Sequence, residues 1–123
     1  MINRRAKGVQ AYYGGLNAEE IAKRHMVEAG LDILAQRLRT PYGEIDLLVA
    51  DENWIIGVEV KSRSTLRDGA EALASRQAER LMASFGYVLE TRPEWCRPNT
   101  RFDVIVVDHT GQARRIMDAL RLT

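Results

Sequence analysis

Asp46, Glu59 and Lys61 are the residues whose types and spacing suit chemistry, and all three lie in one stretch, GEIDLLVADENWIIGVEVKSR, from Gly43 to Arg63. Leu47, Val49, Ile56, Val58 and Val60 give it the apolar alternation of half-buried strands, and Asp51-Glu52-Asn53 supplies turn-forming residues between them. The stretch reads as a β-hairpin. With Glu52 and Asn53 as the loop, Asp51 pairs with Trp54, and counting back sets Asp46 opposite Glu59. Such neighbours stand about 5 Å apart. Alternation puts Glu44 and Asp46 on one face of the first strand, and Glu59, Lys61 and Arg63 on one face of the second. Two carboxylates that close raise each other's pKa unless a positive charge lies between them. Mg²⁺ meets that need: it takes oxygen ligands at about 2.0–2.1 Å and keeps several waters, so one Asp, one Glu and a backbone carbonyl suffice. Lys61 is then available to position or deprotonate a metal-bound water, and the chemistry that fits is attack of water on a phosphodiester.

The same residues carry a resemblance. Asp46, followed on the next strand by Glu59-Val60-Lys61, resembles the D…(D/E)xK signature of the restriction-endonuclease-like nuclease superfamily. More closely, the chain resembles the YraN-like family of small bacterial proteins assigned to that superfamily. The matching segments are GEID at Gly43 to Asp46, VEVKSR at Val58 to Arg63, Glu19-Glu20-Ile21-Ala22, and Arg101-Phe102-Asp103. The resemblance runs from Gly15 to Val107. It implies a three-layer α/β/α sandwich with a mixed central sheet and core order αβββαβ, and an Mg²⁺-dependent (or Mn²⁺-dependent) endonuclease that leaves a 5′-phosphate. Carried onto this chain, Asp46 and Glu59 hold the metal, Val60 offers its carbonyl, Glu19 supports the shell from the first helix, and Lys61 handles the water or the developing charge. Two departures stand out: Ala18 replaces the glycine usual before the helix glutamate, and Gln77 replaces a common lysine, still able to bond a phosphate of the nucleic acid or a water but bringing no charge.

The elements that must position these groups follow from periodicity. Leu16 to Ala29 is helical, with Asn17 as N-cap, Gly30 as stop, and Ala18, Ile21, Ala22, Met26 and Ala29 on one stripe. Glu19 sits on the edge of that stripe, Glu20 points away towards Arg24, and His25 is a packing residue. Leu31 to Arg39 reads as a strand with Ile33, Ala35 and Arg37 alternating with Leu34, Gln36 and Leu38; Thr40-Pro41-Tyr42-Gly43 turns it into the hairpin. Glu44 either assists the metal shell or, by preference, pairs with an arginine such as Arg63. The polar loop from Ser62 to Gly69 carries Arg63 and Arg67, which suit phosphate contacts. Ala70 to Arg92 is the longest helix, its stripe Ala74, Ala78, Leu81, Phe85 and Val88 facing the sheet and Pro93 ending it. Trp95 reads as a hydrophobic plug. Arg101 to Asp108 is a strand buried on both faces, with Arg101 and Asp103 as a structural ion pair, and Ala113 to Leu122 is a short strand with a helical turn.

At 123 residues the chain suits one domain, 15–123, behind a basic arm over 1–14 in which Tyr12 and Tyr13 pack on the domain. With 46% hydrophobic and 28% charged residues it has a globular rather than a disordered profile. No apolar run is long enough to span a membrane, MINRRAKGVQ has no signal-peptide core, and the single Cys96 cannot form an internal disulfide. A cytoplasmic protein is expected. The net charge of +1 lends no support to a nucleic-acid partner, so that expectation rests on the motif. Two functions follow: a nuclease acting on DNA, including branched or repair intermediates, or a catalytically silent nucleic-acid-binding or protein-interaction module keeping the fold. Cutting both strands of a duplex in register would call for a symmetric homodimer.

Overall fold

The Asp51 carboxylate closes the central hairpin by accepting from the main-chain N–H groups of Asn53 and Trp54, each at 2.8 Å, while Asp51 N–H reaches the Trp54 carbonyl at 3.0 Å. Glu52 and Asn53 are therefore the two-residue loop. The register that follows pairs Leu47 with Val58, Val49 with Ile56 and Ala50 with Ile55, the count read from the sequence. The computed structural model describes residues 17–63 and 75–120. Its elements are α1 (Ala18–Glu28), β1 (Asp32–Thr40), β2 (Gly43–Ala50), β3 (Trp54–Ser62), α2 (Ser75–Thr91), a 3₁₀ turn (Pro93–Trp95), β4 (Asn99–Val107) and β5 (Ala113–Leu120). The basic arm with Tyr12 and Tyr13, Arg67 with most of its loop, the proposed helix start before Ser75 and the last three residues lie outside the described residues.

The five strands lie in chain order, β3 and β4 parallel and the remaining neighbours antiparallel. The sheet is mixed and covered on both faces. On one side α1 presents Ala22 and Met26 to Leu47, Val49, Ile56, Val58, Ile105 and Val107; on the other α2 presents Leu81, Phe85 and Val88 to Ile45, Leu48, Ile55 and Phe102. This is the three-layer α/β/α arrangement, extended past the αβββαβ core by β5. Each stripe runs as its helical period requires, except that Ala29, at the C-cap of α1, is exposed. Asn17 Oδ1 accepts from Glu20 N–H at 2.9 Å, and Gly30 takes the left-handed turn that ends the helix at φ 89°. The centre of the sheet depends on Gly57: a Cβ there would stand 2.6 Å from the Phe102 ring, which crosses β3 to meet Phe85 edge-on at 5.6 Å.

Three local expectations change. A bulge between Ile33 and Ala35 puts Leu34 and Ala35 on the same side of β1, so the simple alternation does not hold. β5 is an eight-residue strand with no helical turn among its described residues, because pairing with β4 continues to Phe102↔Leu120. Glu20 pairs with Lys23 at 3.4 Å, three residues on along the helix, rather than with Arg24.

A second irregularity matters more for function. Leu38 packs on the same side as Ala35, and Ile45 on the same side as Leu48, although residues three apart in a regular strand face opposite ways. Both slips fall at one level of the sheet, where Gln36↔Leu47 and Leu38↔Ile45 bracket Arg37 and Asp46. Arg37 absorbs its share with a left-handed backbone, φ 48°.

Candidate active site

At that level β2 and β3 part. The Asp51–Trp54 rung and the alternation of an antiparallel ladder make Ile45↔Val60 the next hydrogen-bonded rung beyond Leu47↔Val58, yet pairing stops at Leu47. Asp46 replaces it. Its Oδ2 accepts the Val60 N–H at 2.8 Å, a carboxylate standing in for a strand carbonyl. Because N–H and C=O of one strand residue point the same way, the Val60 carbonyl also faces this gap. The fork thus brings together one carboxylate, one main-chain carbonyl and, at the count-predicted position opposite Asp46, Glu59.

Glu59 is buried and lies within hydrogen-bonding reach of Asp46. Its Oε2 receives Lys61 Nζ at 3.1 Å and Gln77 Nε2 at 2.9 Å, and Gln77 Oε1 in turn accepts from Lys61 at 3.0 Å. The result is a closed ring of Glu59, Lys61 and Gln77, holding the lysine against the cluster. Gln77 takes this place because α2 crosses the ends of β2 and β3 on the side to which Glu59 and Lys61 point. The sequence reading offered it as a phosphate or water ligand; here both ends of its amide hold site residues.

Asp46 is the strained member electrostatically. Burial pushes its carboxyl up to about 7, with the charges of Glu59 and Glu19 adding to the rise and the Val60 N–H opposing it. An acid so raised is a site short of positive charge. That deficit, the freed Val60 carbonyl and the all-oxygen donor set fit a hard divalent cation such as Mg²⁺. Among the described residues no group of three or more His, Cys, Asp or Glu side chains is arranged to hold a metal, so two carboxylates meet here rather than three. Glu19 is turned aside. Its Oε1 receives Arg37 Nη2 at 2.9 Å and Nε at 3.0 Å, though it stays near enough for its charge to act on Asp46.

Other expected site residues are placed as follows. Glu44 pairs with Arg39, its direct neighbour across the β1–β2 ladder, at 3.7 Å; it does not reach Arg63, because two adjacent strand residues are closer than one beyond the end of β3. Arg63 donates its main-chain N–H to Val107 at 3.0 Å and its Nη1 to the Ser62 carbonyl at 2.7 Å, at the same sheet end as Lys61. Between β2 and α2 the site opens into a cleft of ≈ 200 Å³ lined by Glu44, Asp46, Glu59, Gln77, Arg80 and Ser84. Arg80 is exposed and forms no ion pair among the described residues. Buried Ser84 sits 3.0 Å from the Thr40 hydroxyl, tying α2 to the β1–β2 turn.

Arg37 and Arg80 are the residues that reading the sequence missed. For Arg37 a signal was present: applying the two-residue-loop count to Thr40–Gly43 sets Arg37 opposite Asp46. For Arg80 there was one only in part, its position three residues beyond Gln77 on α2.

Residues 18–107 match the model of the Uncharacterised protein family UPF0102. The chain belongs to that family. A UPF0102 protein of Granulibacter bethesdensis is 49% identical over 94% of this chain and 73% of its own length. Another from Acidiphilium cryptum is 44% identical over 80% of this chain and 77% of its own length, and one from Ruegeria is 37% identical over 94% and 93%. The UPF0102 span contains Glu19, Arg37, Asp46, Glu59, Val60, Lys61, Gln77 and Arg80, so the whole fork lies within the part of the chain that defines the family. No helix among the described residues is long and apolar enough to cross a membrane.

Proposed function

We propose that this UPF0102 protein is a divalent-metal-dependent endonuclease that hydrolyses phosphodiester bonds in DNA. The observation that carries the reading is the fork itself: Asp46 and Glu59 meet where β2 and β3 separate, and Lys61 is fastened beside them by Glu59 and Gln77. Asp46, Glu59 and the Val60 carbonyl would hold Mg²⁺ or Mn²⁺, with Glu19 in reserve at the rim. When bound, the cation supplies Lewis-acid stabilisation of the phosphoryl oxygens and a more acidic water. Asp46, whose carboxyl burial raises to about 7, would release its proton to solvent on taking up the cation. Lys61 Nζ, three donors on a compact charge, would face the negative charge that builds on the phosphoryl oxygens in the transition state. Gln77, bonded to both members, orients the Glu59–Lys61 pair. Arg80 on the cleft wall and Arg63 at the sheet end beside Lys61 would supply donors for flanking phosphates, and the family resemblance implies a product carrying a 5′-phosphate.

One observation favours the competing reading, a silent binding module of the same fold: Lys61 is already engaged by both Glu59 and Gln77. Titration with Mn²⁺ and Mg²⁺, followed by assays on branched, flapped, single-stranded and duplex DNA, separates the two. The nuclease reading expects cation binding that is lost in Asp46→Ala and cleavage that is lost in Lys61→Ala. Cation binding with no cleavage of any of these substrates would favour the module. Sedimentation in the presence of duplex decides whether cutting uses a homodimer, and the same assays in cell fractions test the cytoplasmic placement.

A further inference from the structure

The acidic fork already contains a cation of its own. Arg37 stands across the β1–β2 ladder from Asp46, bracketed by Gln36↔Leu47 and Leu38↔Ile45, and reaches past it to Glu19 with two nitrogens on one oxygen at 2.9 and 3.0 Å. Its backbone adopts φ 48°, a conformation that costs a long side chain energy and that strands ordinarily avoid. The negative charges of Glu19, Glu44 and Asp46 all act on this guanidinium and favour its charged form. Of these, Glu44 has its own neighbour in Arg39, leaving Glu19 as the carboxylate that Arg37 holds.

We infer that Arg37 is an exchangeable counter-ion: it holds Glu19 while the fork lacks a divalent ion and, once Glu19 turns to that ion, its freed guanidinium takes a phosphate of the nucleic-acid backbone. This rests on the nuclease reading and adds a phosphate-binding residue to it. Three properties support the exchange. The Arg37 and Glu19 side chains are 65% and 38% exposed, so their pair is weak enough to be given up. The charge of Glu19 already acts on Asp46, and Arg37 is the group that holds the Glu19 side chain, so its release frees a third carboxylate on that side of the fork. An exposed guanidinium one strand over from Asp46 presents the planar donor fork that matches a phosphate, which a lysine's point charge does not.

The inference predicts opposite effects of one substitution on two ligands. In calorimetric titration of the full chain, Arg37→Gln binds Mn²⁺ about two- to fivefold tighter than wild type, the range an exposed ion pair allows. Arg37→Lys keeps the charge and stays near wild type. In a Glu19→Gln background, which itself binds Mn²⁺ more weakly, Arg37→Gln brings no gain. In fluorescence anisotropy with a duplex in Ca²⁺, Arg37→Gln binds DNA more weakly, and its log K against log salt slope falls by about 1. A change of backbone strain or of folding would not strengthen one ligand, weaken the other and depend on Glu19. Equal or weaker Mn²⁺ binding by Arg37→Gln, a gain that survives without Glu19, or unchanged DNA binding would each overturn the exchange while leaving the nuclease reading standing. Failure of the wild-type chain to bind Mn²⁺ removes both.

Discussion

Two aspartates, half-buried Asp46 and fully buried Asp103, lie on strands of one sheet and have opposite surroundings. Asp103 is fully buried, yet both of its oxygens are supplied: Arg101 clamps it at 2.8 and 3.0 Å and Asp118 N–H adds a bond at 2.9 Å. Arg115 Nε stands 3.2 Å away but off the hydrogen-bond axis, so it brings charge rather than an aligned bond. Arg101 in turn lies 5.0 Å over the Trp54 ring. Arg101 makes the structural ion pair that the sequence reading expects, and Arg115 adds a second cation. Asp46 has one neutral N–H donor, carboxylates for near neighbours and no cation within ion-pair distance among the described residues. Surplus positive charge around a carboxylate locks a fold; surplus negative charge leaves a place for something to bind. The contrast separates a structural acid from a candidate functional one by geometry alone.

The comparison is broken most severely at Asp103. Asp103→Ala leaves two largely buried guanidiniums facing each other and is expected to cost about 3–5 kcal/mol in urea unfolding. Mild loss there would mean that the clamp is not structural. Asp46→Ala should instead spare the fold and lower cleavage by about 100-fold or more, as loss of a group holding transition-state charge does. A variant that unfolds while wild-type cleavage is absent would put Asp46 in the same class as Asp103.

A subtler test uses proton linkage. The folded Asp46 carboxyl is raised to about 7, so between the ordinary carboxylate range and that value the folded chain binds more protons than the unfolded one. Cation-free stability should therefore fall as pH climbs towards 7 and then level off, and divalent-ion affinity should rise over the same interval. Asp46→Asn, which keeps an oxygen for Val60 N–H, should remove that slope and stabilise the cation-free protein at pH 8, by about 1–2 kcal/mol after allowance for solvent screening. Thermal midpoints at pH 5 and pH 8 read this directly; an unchanged slope in the variant would deny Asp46 its raised pKa. The smallest effect belongs to Arg39→Gln at the 90% exposed end of the Glu44 pair, where stability should stay within about 0.5 kcal/mol.

What could be read in advance divides along the same lines. The hairpin register, and with it the meeting of Asp46 and Glu59, was legible because Asp51 closes a two-residue loop with its own carboxylate and strand alternation does the rest. The Arg101–Asp103 pair was legible because residues two apart on a strand share a face. Arg37 was not read as a site residue. Counting back from the Thr40–Gly43 turn sets it opposite Asp46, but its hold on Glu19 required α1 to be docked against the sheet. The role of Gln77 was half legible: its place on α2 was clear, but its bonds to Glu59 and Lys61 required the helix to be docked. Partners of exposed charges were misread for Glu20 and Glu44, where long side chains choose among several neighbours of nearly equal energy.

By itself the sequence determined which residues alternate, where the chain turns and hence which acids face each other across one hairpin, because turn chemistry and strand period act over a few residues. Only the tertiary structure decided that β2 and β3 part at Asp46, that α2 fastens Lys61 through Gln77, and that Glu19 is held by Arg37. Those outcomes depend on how two helices and the kinked strands pack against one another. Packing sums many weak contacts between residues far apart in the chain, and no local spacing encodes that sum.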